Sequence, residues 1–435
     1  MEYRPRIVSW NITGACHLRC AHCYLNARRR RPGELTTGEA LRLIDQMAEA
    51  GTELLILTGG EPLLRRDLPV LARHAANQGI HVVLGTTGTL ITRQRAKTLK
   101  DSGVAAAGIS IDSLDPAKHD AFRSLPGAWQ RAVQGMEVCR HEGLEVLVHT
   151  TALKMNQEEI PDIIQFAHDH GARAFHLFFL VCTGRGEQLT DLSPKEYEDL
   201  LSLGLDTQER YPDMMVRARC APYIGRLAVE RGVPTMGSAG CLAGTSYCRI
   251  TPTGDVTPCP YLPTRVGNIR QGTFQDIWAT SPLLTQFRAP QRQLGGKCGQ
   301  CLFSQGDEPL CVGCRARAFS LAGDTLAADP WCLYQPDQPQ TLAETVSPAH
   351  GGRPNSAQQG PIVWTPEAHE RLGRVPFFIR GRVRQSAEAY ARQRGLTEVS
   401  EEVLEHLRQG AYGHPGKWPS SGARNSAAER KKHLL

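Results

Sequence analysis

The chain has 435 residues, of which 41% are hydrophobic and 22% are charged. Such a chain can bury a large core and should form two or three domains. The formal net charge of +6 is small for this length, and part of the excess lies in the basic run 430–432, so we expect no nucleic-acid binding. No apolar run approaches the roughly 20 residues that cross a bilayer, and the first residues lack signal-peptide character. We therefore expect a cytoplasmic protein without membrane association.

The first half of the chain alternates short apolar runs with amphipathic segments. This pattern is typical of an α/β protein with repeated strand–helix units and a parallel sheet. The predicted strands are 6–13, 53–58, 80–85, 104–111, 145–151 and 174–181, and the predicted helices are 37–50, 68–78, 93–100, 129–141 and 160–170. Parallel sheets place their ligand sites at the carboxyl ends of the strands, so we expect the functional site to follow these strands.

Three of the fourteen cysteines lie in a loop directly after the first predicted strand. Cys16, Cys20 and Cys23 have the spacing C-x3-C-x2-C. In a reducing compartment clustered cysteines indicate metal ligands rather than disulfides. Thiolates select soft metals and iron–sulfur clusters, and a cubane held by three cysteines keeps one iron open for a substrate or cofactor. Zinc is the alternative, although only His17 and His22 lie nearby as further ligands. We expect His22 to be solvated, or to support a metal ligand without binding the metal itself.

A second motif follows the second predicted strand, where the sequence reads Thr58-Gly59-Gly60-Glu61-Pro62. Alone it could be a tight turn. Together with C-x3-C-x2-C and the following Tyr24, it resembles the signature of the radical S-adenosylmethionine enzymes. The resemblance implies a partial (β/α)6 TIM-like barrel and a 4Fe-4S cluster whose open iron binds the amino and carboxylate groups of S-adenosylmethionine. It also implies that the cofactor's amino group is bound by Gly59, Gly60, Glu61 and Pro62, with Glu61 mainly holding the loop.

Hydroxyl and carboxylate side chains follow later strands. The same resemblance implies that Ser110 and Asp112 contact the cofactor ribose, with Thr87 as a weaker candidate. Turn and capping chemistry is the alternative for these residues. After the sixth predicted strand, Arg185 lies between two glycines. It could clamp a substrate carboxylate or be an exposed loop arginine.

The second cysteine-rich region runs from residue 241 to residue 332 and contains C-x12-G-x4-C followed by two C-x2-C pairs. It resembles the SPASM auxiliary-cluster extension of radical S-adenosylmethionine enzymes. By order, the resemblance implies one cluster on Cys241, Cys248, Cys259 and Cys314 and another on Cys298, Cys301, Cys311 and Cys332. A zinc ribbon would also use paired C-x2-C motifs.

Three cysteines lie outside both groups. Cys139 falls in a predicted helix and is expected in the core. The spacing of Cys182 and Cys220 gives no reason to assign them as ligands.

Short phrases narrow the resemblance to radical S-adenosylmethionine enzymes that modify tetrapyrroles in the alternative haem and dihydro-haem pathways. They include 178–181, 240–245, 260–263 and 314–318, although Cys182 stands where that group often has proline. The implied activity is decarboxylation or oxidation of a tetrapyrrole side chain, with an electron donor such as flavodoxin or ferredoxin. A SPASM peptide-modifying maturase and a non-catalytic iron–sulfur or zinc electron carrier or sensor remain alternatives.

The resemblances and the composition together divide the chain into five segments. The resemblances imply a barrel at 6–215 and an auxiliary iron–sulfur domain at 216–336, and the composition predicts a flexible linker rich in Gln, Pro, Gly, Ala and Ser at 337–361. Residues 362–409 predict a small all-α domain, which resembles the C-terminal domain of protochlorophyllide reductase subunits, although a protein-interaction domain is the alternative. The tail 410–435 is expected to be disordered.

Overall fold

The computed structural model describes residues 3–189, 192–233, 240–289, 293–306, 309–336 and 362–374, together with parts of 383–405. The chain divides into two compact units, Met1–Ser347 and Pro348–Leu435. The predictions for the linker 337–361 and the tail 410–435 lie outside the described residues.

The described residues of the first unit form a ten-stranded sheet in the order β10-β9-β8-β1-β2-β3-β4-β5-β6-β7. Neighbouring strands are parallel along the sheet from β8 to β7, whereas β9 pairs antiparallel with both β8 and β10. The first six strands confirm the six that the sequence predicts, whereas β7 and β8 at either side were not predicted. The strands are β1 Ile7–Asn11, β2 Leu54–Thr58, β3 His81–Thr86, β4 Val104–Ser110, β5 Glu145–Ala152, β6 Ala174–Phe179, β7 Met215–Arg219, β8 Tyr247–Ile250, β9 Asp255–Thr257 and β10 Gly267–Asn268.

Helices connect the parallel strands, and the five predicted helices are confirmed as α1, α2, α3, α5 and α6. The helices of this unit are α1 Thr37–Glu49, α2 Leu68–Asn77, α3 Arg93–Asp101, α4 Pro116–Arg123, α5 Ala128–His141, α6 Ile160–Asp169, α7 Pro194–Arg210, α8 Ile224–Glu230, α9 Phe274–Thr280, α10 Pro282–Arg288, α11 Gly296–Gln300 and α12 Arg315–Ala322. The unpredicted α4 carries a clear start signal, because the Asp115 side chain accepts hydrogen bonds from two backbone N–H groups and Pro116 occupies the first helical position. Among the helices of the described residues, none combines the length and apolarity that crossing a bilayer requires.

In β2, β5 and most of β6, residues alternate between a buried face and a partly exposed inner face, whereas β1 is buried throughout. In β5 the residues Val146, Val148 and Ala152 are buried in the main core, whereas His149 and Thr151 are partly exposed. The apolar stripe of α1 packs on the same core. Because side chains alternate across a strand, polar residues at inner-face positions point into the barrel rather than toward the helices.

The second unit has a small core of its own. Its α13 covers Pro366–Arg374, and a short β11, Val363–Trp364, pairs parallel with β12, Glu398–Val399. The core residues are Trp364, Ala368, Leu372, Ala387, Ala391, Val399, Val403 and Leu404. The sequence predicts a small all-α unit and does not predict this pair of strands. Two residues per strand are too few to show the alternation of apolar and polar residues that marks a strand in a sequence.

Candidate active site and cysteine groups

The cysteine loop follows β1 and is closed by hydrogen bonds at both sides. Ala15 bridges to Arg28, and the Cys16 N–H donates to the Arg28 carbonyl at 3.3 Å. The buried Glu34 carboxylate accepts from the Gly14 N–H at 2.7 Å and the Arg31 N–H at 2.9 Å. These contacts fix the backbone on which the three thiols are carried.

The three thiols are free and lie within electrostatic reach of one another. Burial raises the pKa of Cys16 to about 12, and the Glu61 carboxylate and the thiols of Cys20 and Cys23 act in the same direction. A set of three soft donors on one loop suits an iron–sulfur cluster. Within the described residues, no three His, Cys, Asp or Glu side chains are grouped closely enough to hold a single metal ion.

The Gly59-Gly60-Glu61-Pro62 segment hydrogen-bonds directly to the start of the cysteine loop. The Gly60 N–H donates to the Thr13 carbonyl and the Glu61 N–H to the Ala15 carbonyl, both at 2.8 Å. A Cβ at Gly60 would lie 2.2 Å from the Ala15 oxygen, and one at Gly59 would lie 2.6 Å from the Thr13 oxygen. Glycine is therefore required because two backbones meet here, which a simple turn would not demand.

Glu61 is fully buried and joins the ends of β2 and β3. Its carboxylate accepts from the Thr86 hydroxyl at 2.7 Å, the Thr87 hydroxyl at 2.8 Å and the Thr87 N–H at 3.0 Å. It also accepts from the Leu63 N–H at 3.2 Å, at the start of the single turn that begins with the buried Pro62. This geometry matches the loop-holding role expected for Glu61, and it commits the Thr87 hydroxyl to the same carboxylate.

Asp112 belongs to a buried charged group that reaches the cysteine loop. Its carboxylate pairs with Arg123 and accepts from the Thr151 N–H at 3.1 Å. The Arg123 guanidinium also donates to the Cys20 sulfur at 3.6 Å. Burial alone would raise the pKa of Asp112, but Arg123 and the nearby histidines hold it below its usual range. Asp112 is thus engaged by protein groups, whereas Ser110 lies partly exposed on the inner face of β4.

Two further residues contact the cysteine loop. The Arg185 Nε donates to the Cys20 carbonyl at 2.9 Å, and the Arg185 N–H donates to the Cys23 carbonyl at 3.2 Å. Arg185 therefore supports the loop, a role that differs from both the substrate clamp and the exposed arginine considered from the sequence. The His22 ring stacks on Phe122 with centroids 4.7 Å apart, and burial lowers the pKa of His22 to about 4.

A second thiol group forms where β7 ends and the cysteine-rich region begins. Cys220, Cys241 and Cys259 pack on the apolar cluster that contains Cys314. Burial raises the pKa of Cys220 well above its usual value, and the other three thiols add to the effect. Cys220 also has a left-handed backbone with φ of 64°, a conformation that non-glycine residues rarely adopt away from functional or strained sites.

Cys248 lies apart from this group. It sits on β8 opposite Val8 of β1 and is fully buried in the main core. Burial raises its pKa, and the charged neighbour that acts on it is Arg288 rather than another cysteine. The structure therefore brings together three of the four residues expected for this group and places Cys220 where Cys248 was expected.

The other four cysteines expected as auxiliary ligands line one small cavity. Cys298, Cys301, Cys311 and Cys332 share it with Lys297 and Tyr334. The buried Asp329 stands between the two thiol groups, because its carboxylate accepts from the Cys314 N–H at 2.8 Å and its own N–H lies 3.4 Å from the Cys298 sulfur. A pair of soft four-cysteine sets fits two auxiliary clusters.

Several site residues were not found from the sequence. Nothing in the spacing of Cys220 marks it, and Arg123 lies at the end of a helix that was not predicted. A usable signal existed for His149 and His176, since each is a polar residue at an inner-face position of a predicted strand. Arg219 lies on β7, a strand that the sequence did not predict.

Comparisons with known proteins agree with this geometry. Residues 10–167 match the radical SAM superfamily, residues 241–302 an iron–sulfur cluster-binding domain, and residues 364–408 the proto-chlorophyllide reductase 57 kD subunit. The chain is 40% identical to the AdoMet-dependent heme synthase of Methanosarcina barkeri, over 77% of this chain and 98% of the relative. It is 31% identical to the pre-heme d1 synthase of Dinoroseobacter shibae, over 80% and 92% respectively. The solved structure of SuiB from Streptococcus suis bound to S-adenosylmethionine has a TM-score of 0.63 at 17% identity, over 76% of this chain and 78% of that one.

The barrel and the three-cysteine loop define a radical S-adenosylmethionine enzyme with an auxiliary iron–sulfur domain. The chain belongs to the radical SAM superfamily, in the family that includes the AdoMet-dependent heme synthase of Methanosarcina barkeri. Its cofactors are 4Fe-4S clusters and S-adenosylmethionine.

The close approach of two backbones at Gly60 predicts a specific loss of iron. Gly60→Ala would push the cysteine loop away, because the new methyl group cannot fit 2.2 Å from the Ala15 oxygen. We expect the reconstituted variant to lose about four irons per chain. Gly204→Ala is the matched control, since Gly204 lies in α7 with open space around its Cβ position. Equal iron contents in the two variants would contradict the prediction.

The buried Asp112–Arg123 pair predicts a large loss of stability. Asp112→Ala leaves the Arg123 charge unpaired in the interior, which should lower the free energy of unfolding by about 3–5 kcal/mol. Asp101→Ala breaks the exposed Lys97–Asp101 pair and should cost only about 0.3–0.5 kcal/mol. Urea unfolding of the apoproteins measures both changes, and similar losses would refute the role of the buried pair.

Proposed function

We propose that this enzyme modifies a carboxylate-bearing side chain of a tetrapyrrole, most simply by oxidative decarboxylation, in the biosynthesis of haem or a related cofactor. The observation that carries the proposal is the 40% identity to an AdoMet-dependent heme synthase over 98% of that protein's length. The relation covers 77% of this chain, more than the family matches at 10–167 and 241–302 together, so it extends well beyond a shared motif.

The residues of the cysteine loop have distinct proposed roles. Cys16, Cys20 and Cys23 hold the cluster that, with bound S-adenosylmethionine, supplies a carbon radical able to remove an unactivated hydrogen atom. The backbone of Gly59, Gly60, Glu61 and Pro62 faces the cofactor's amino group, while the Glu61 carboxylate fixes the segment.

Ser110 remains our candidate for the cofactor ribose, because its side chain is partly exposed on the inner face of β4. Thr87 and Asp112 are weaker candidates, since their polar atoms already bond to protein groups.

The chemistry also requires electrons to enter and leave. Reductive cleavage of S-adenosylmethionine consumes one electron, for which we propose a flavodoxin or ferredoxin as donor. Loss of a hydrogen atom and carbon dioxide from a propionate leaves one electron to be removed before a vinyl group is complete. We assign the two further cysteine groups as candidate carriers of that electron.

We propose two auxiliary clusters. Cys220, Cys241, Cys259 and Cys314 would hold the first, and Cys298, Cys301, Cys311 and Cys332 the second. Cys220 replaces Cys248 because it lies among the other three thiols, whereas Cys248 lies in the core beside β1. The domain limits 6–215, 216–336 and 362–409 stay proposals, and β7 runs across the first of these boundaries.

The activity is tested with anaerobically reconstituted protein, reductant and S-adenosylmethionine. We expect 5'-deoxyadenosine from the wild type and none from Cys16→Ala, with a mass decrease of iron-coproporphyrin or didecarboxysirohaem under turnover. Cys139→Ala is the control, because that thiol lies in the helix core. If the nucleoside forms but no tetrapyrrole changes mass, the substrate proposal fails and a peptide substrate gains support.

The ligand assignment predicts different outcomes for two buried cysteines. Cys220→Ala should lose iron or alter the electron paramagnetic resonance signal of one auxiliary cluster, while Cys248→Ala should keep the near twelve irons of the three-cluster protein. Retention of all iron and an unchanged signal in Cys220→Ala, with loss in Cys248→Ala, would restore the ligand set expected from the sequence. Zinc in place of iron would overturn both assignments.

A further inference from the structure

Imidazole and guanidinium groups line one wall of the barrel interior. The strand register places His149 beside His176 and His176 beside Arg217, and it places Arg219 beside Phe178 two residues further on. The rings of His149 and His176 stack with centroids 5.0 Å apart and an interplanar angle of 13°. All of these side chains are partly exposed on the inner face, so they border the space enclosed by the strands.

Arg219 carries a positive charge that no carboxylate of the described residues neutralises, because none lies within ion-pair distance of it. The groups that act on it are Tyr247 and Cys220. Burial raises the pKa of Tyr247 well above its usual value, so its phenol is neutral at physiological pH. Cys220 is a proposed cluster ligand, so its sulfur is committed to that cluster rather than to the guanidinium. The carboxylate that acts on the nearby His149 is that of Asp112, and it is already paired with Arg123.

The two histidines supply no negative charge to pair with the Arg219 guanidinium. Burial, followed by the charges of Arg219 and Arg123, lowers the pKa of His149 to about 3, and burial together with Arg219 lowers that of His176 well below its usual value. His149 therefore presents a neutral ring, and its Nε2 is buried without a hydrogen-bond partner. The ring lies flat over β4 where a Cβ on Gly108 would be 2.5 Å from Nε2, so glycine is needed for this placement.

An uncompensated cation and an unsatisfied ring nitrogen inside a protein each cost free energy. An anionic ligand removes both costs, because arginine binds carboxylates through two parallel hydrogen bonds and a neutral imidazole can donate a third. The wall lies within electrostatic reach of the group that supports the cysteine loop, since the Arg123 that donates to the Cys20 sulfur is one of the charges acting on His149.

We propose that Arg219 on β7 and His149 on β5 bind a carboxylate side chain of the substrate on the inner face of β5 to β7. The inference rests on the proposed function, because it takes the substrate to be a tetrapyrrole with several carboxylates. It adds the residues that recognise one of them. Arg219 then selects substrates by charge, and a substrate without carboxylates is bound weakly.

The test uses holoenzyme and two metal-free probes, coproporphyrin III and its tetramethyl ester, with binding followed by fluorescence. The wild type should bind the acid more tightly than the ester. Arg219→Gln should weaken binding of the acid about 10- to 100-fold and leave binding of the ester nearly unchanged. Arg219→Lys should recover part of the loss, because it restores the charge without the two-pronged geometry.

Arg210→Gln is the matched control, since it removes one arginine charge at the exposed end of α7. Its acid and ester affinities should equal those of the wild type. Iron content is measured in every variant, because Arg219 adjoins Cys220, and Arg219→Gln should retain the wild-type value.

Equal binding of acid and ester by the wild type would overturn the carboxylate site and leave the proposed reaction standing. Unchanged acid binding by Arg219→Gln would overturn the role of this residue. Absence of any porphyrin binding by the wild type would overturn both proposals. Loss of the acid preference in Arg219→Gln supports the site even when no tetrapyrrole is turned over.

Discussion

The architecture of the reaction centre depends on one backbone contact, the hydrogen bonding of the segment after β2 to the loop after β1. The Gly60 and Glu61 N–H groups bond to the Thr13 and Ala15 carbonyls, so the cysteine loop continues the parallel sheet for a short distance beyond its strands. This contact needs two residues without side chains, because any Cβ would enter the facing backbone. The three thiols are therefore held at the carboxyl end of the sheet rather than on an unsupported loop. Such support suits a site that requires fixed geometry.

The same contact explains why Glu61 is buried. A carboxylate with no exposed surface is costly unless its oxygens are hydrogen-bonded, and here β3 supplies two hydroxyls and an N–H to satisfy it. On the opposite side of the loop, Arg123 and Asp112 form a second buried polar group that reaches Cys20. The cysteine loop is thus held from both sides by satisfied polar groups, which act on its backbone and on one sulfur.

The sequence predicts the strands that make this frame because their apolar runs are regular and their connecting helices amphipathic. It also predicts the three-cysteine loop and the glycine pair, since both are local motifs. The position of Cys220 could not be predicted, because it comes from the end of β7 approaching the region after β8, a contact between segments distant in sequence. The same limit applies to Cys248. Its order in the chain suits a ligand, whereas pairing of β8 with β1 places it in the core, and its ligand role stays a prediction.

Polar residues on the inner face of the barrel indicate how the enzyme could select its substrate by charge. In a barrel whose helix-facing side chains form the core, the inward-facing side chains border the enclosed space, so their chemistry indicates which kind of molecule they can contact there. The described inner wall of β5 to β7 carries imidazole and guanidinium groups, and the nearby Asp112 is already neutralised by Arg123. A neutral or cationic substrate would gain nothing from Arg219, whereas a carboxylate placed there forms a charge-assisted hydrogen bond with a guanidinium that has no carboxylate partner among the described residues. The electrostatics of the wall therefore favour an anionic substrate independently of the enzyme's relatives, and the radical chemistry at the adjoining cysteine loop determines what happens to it.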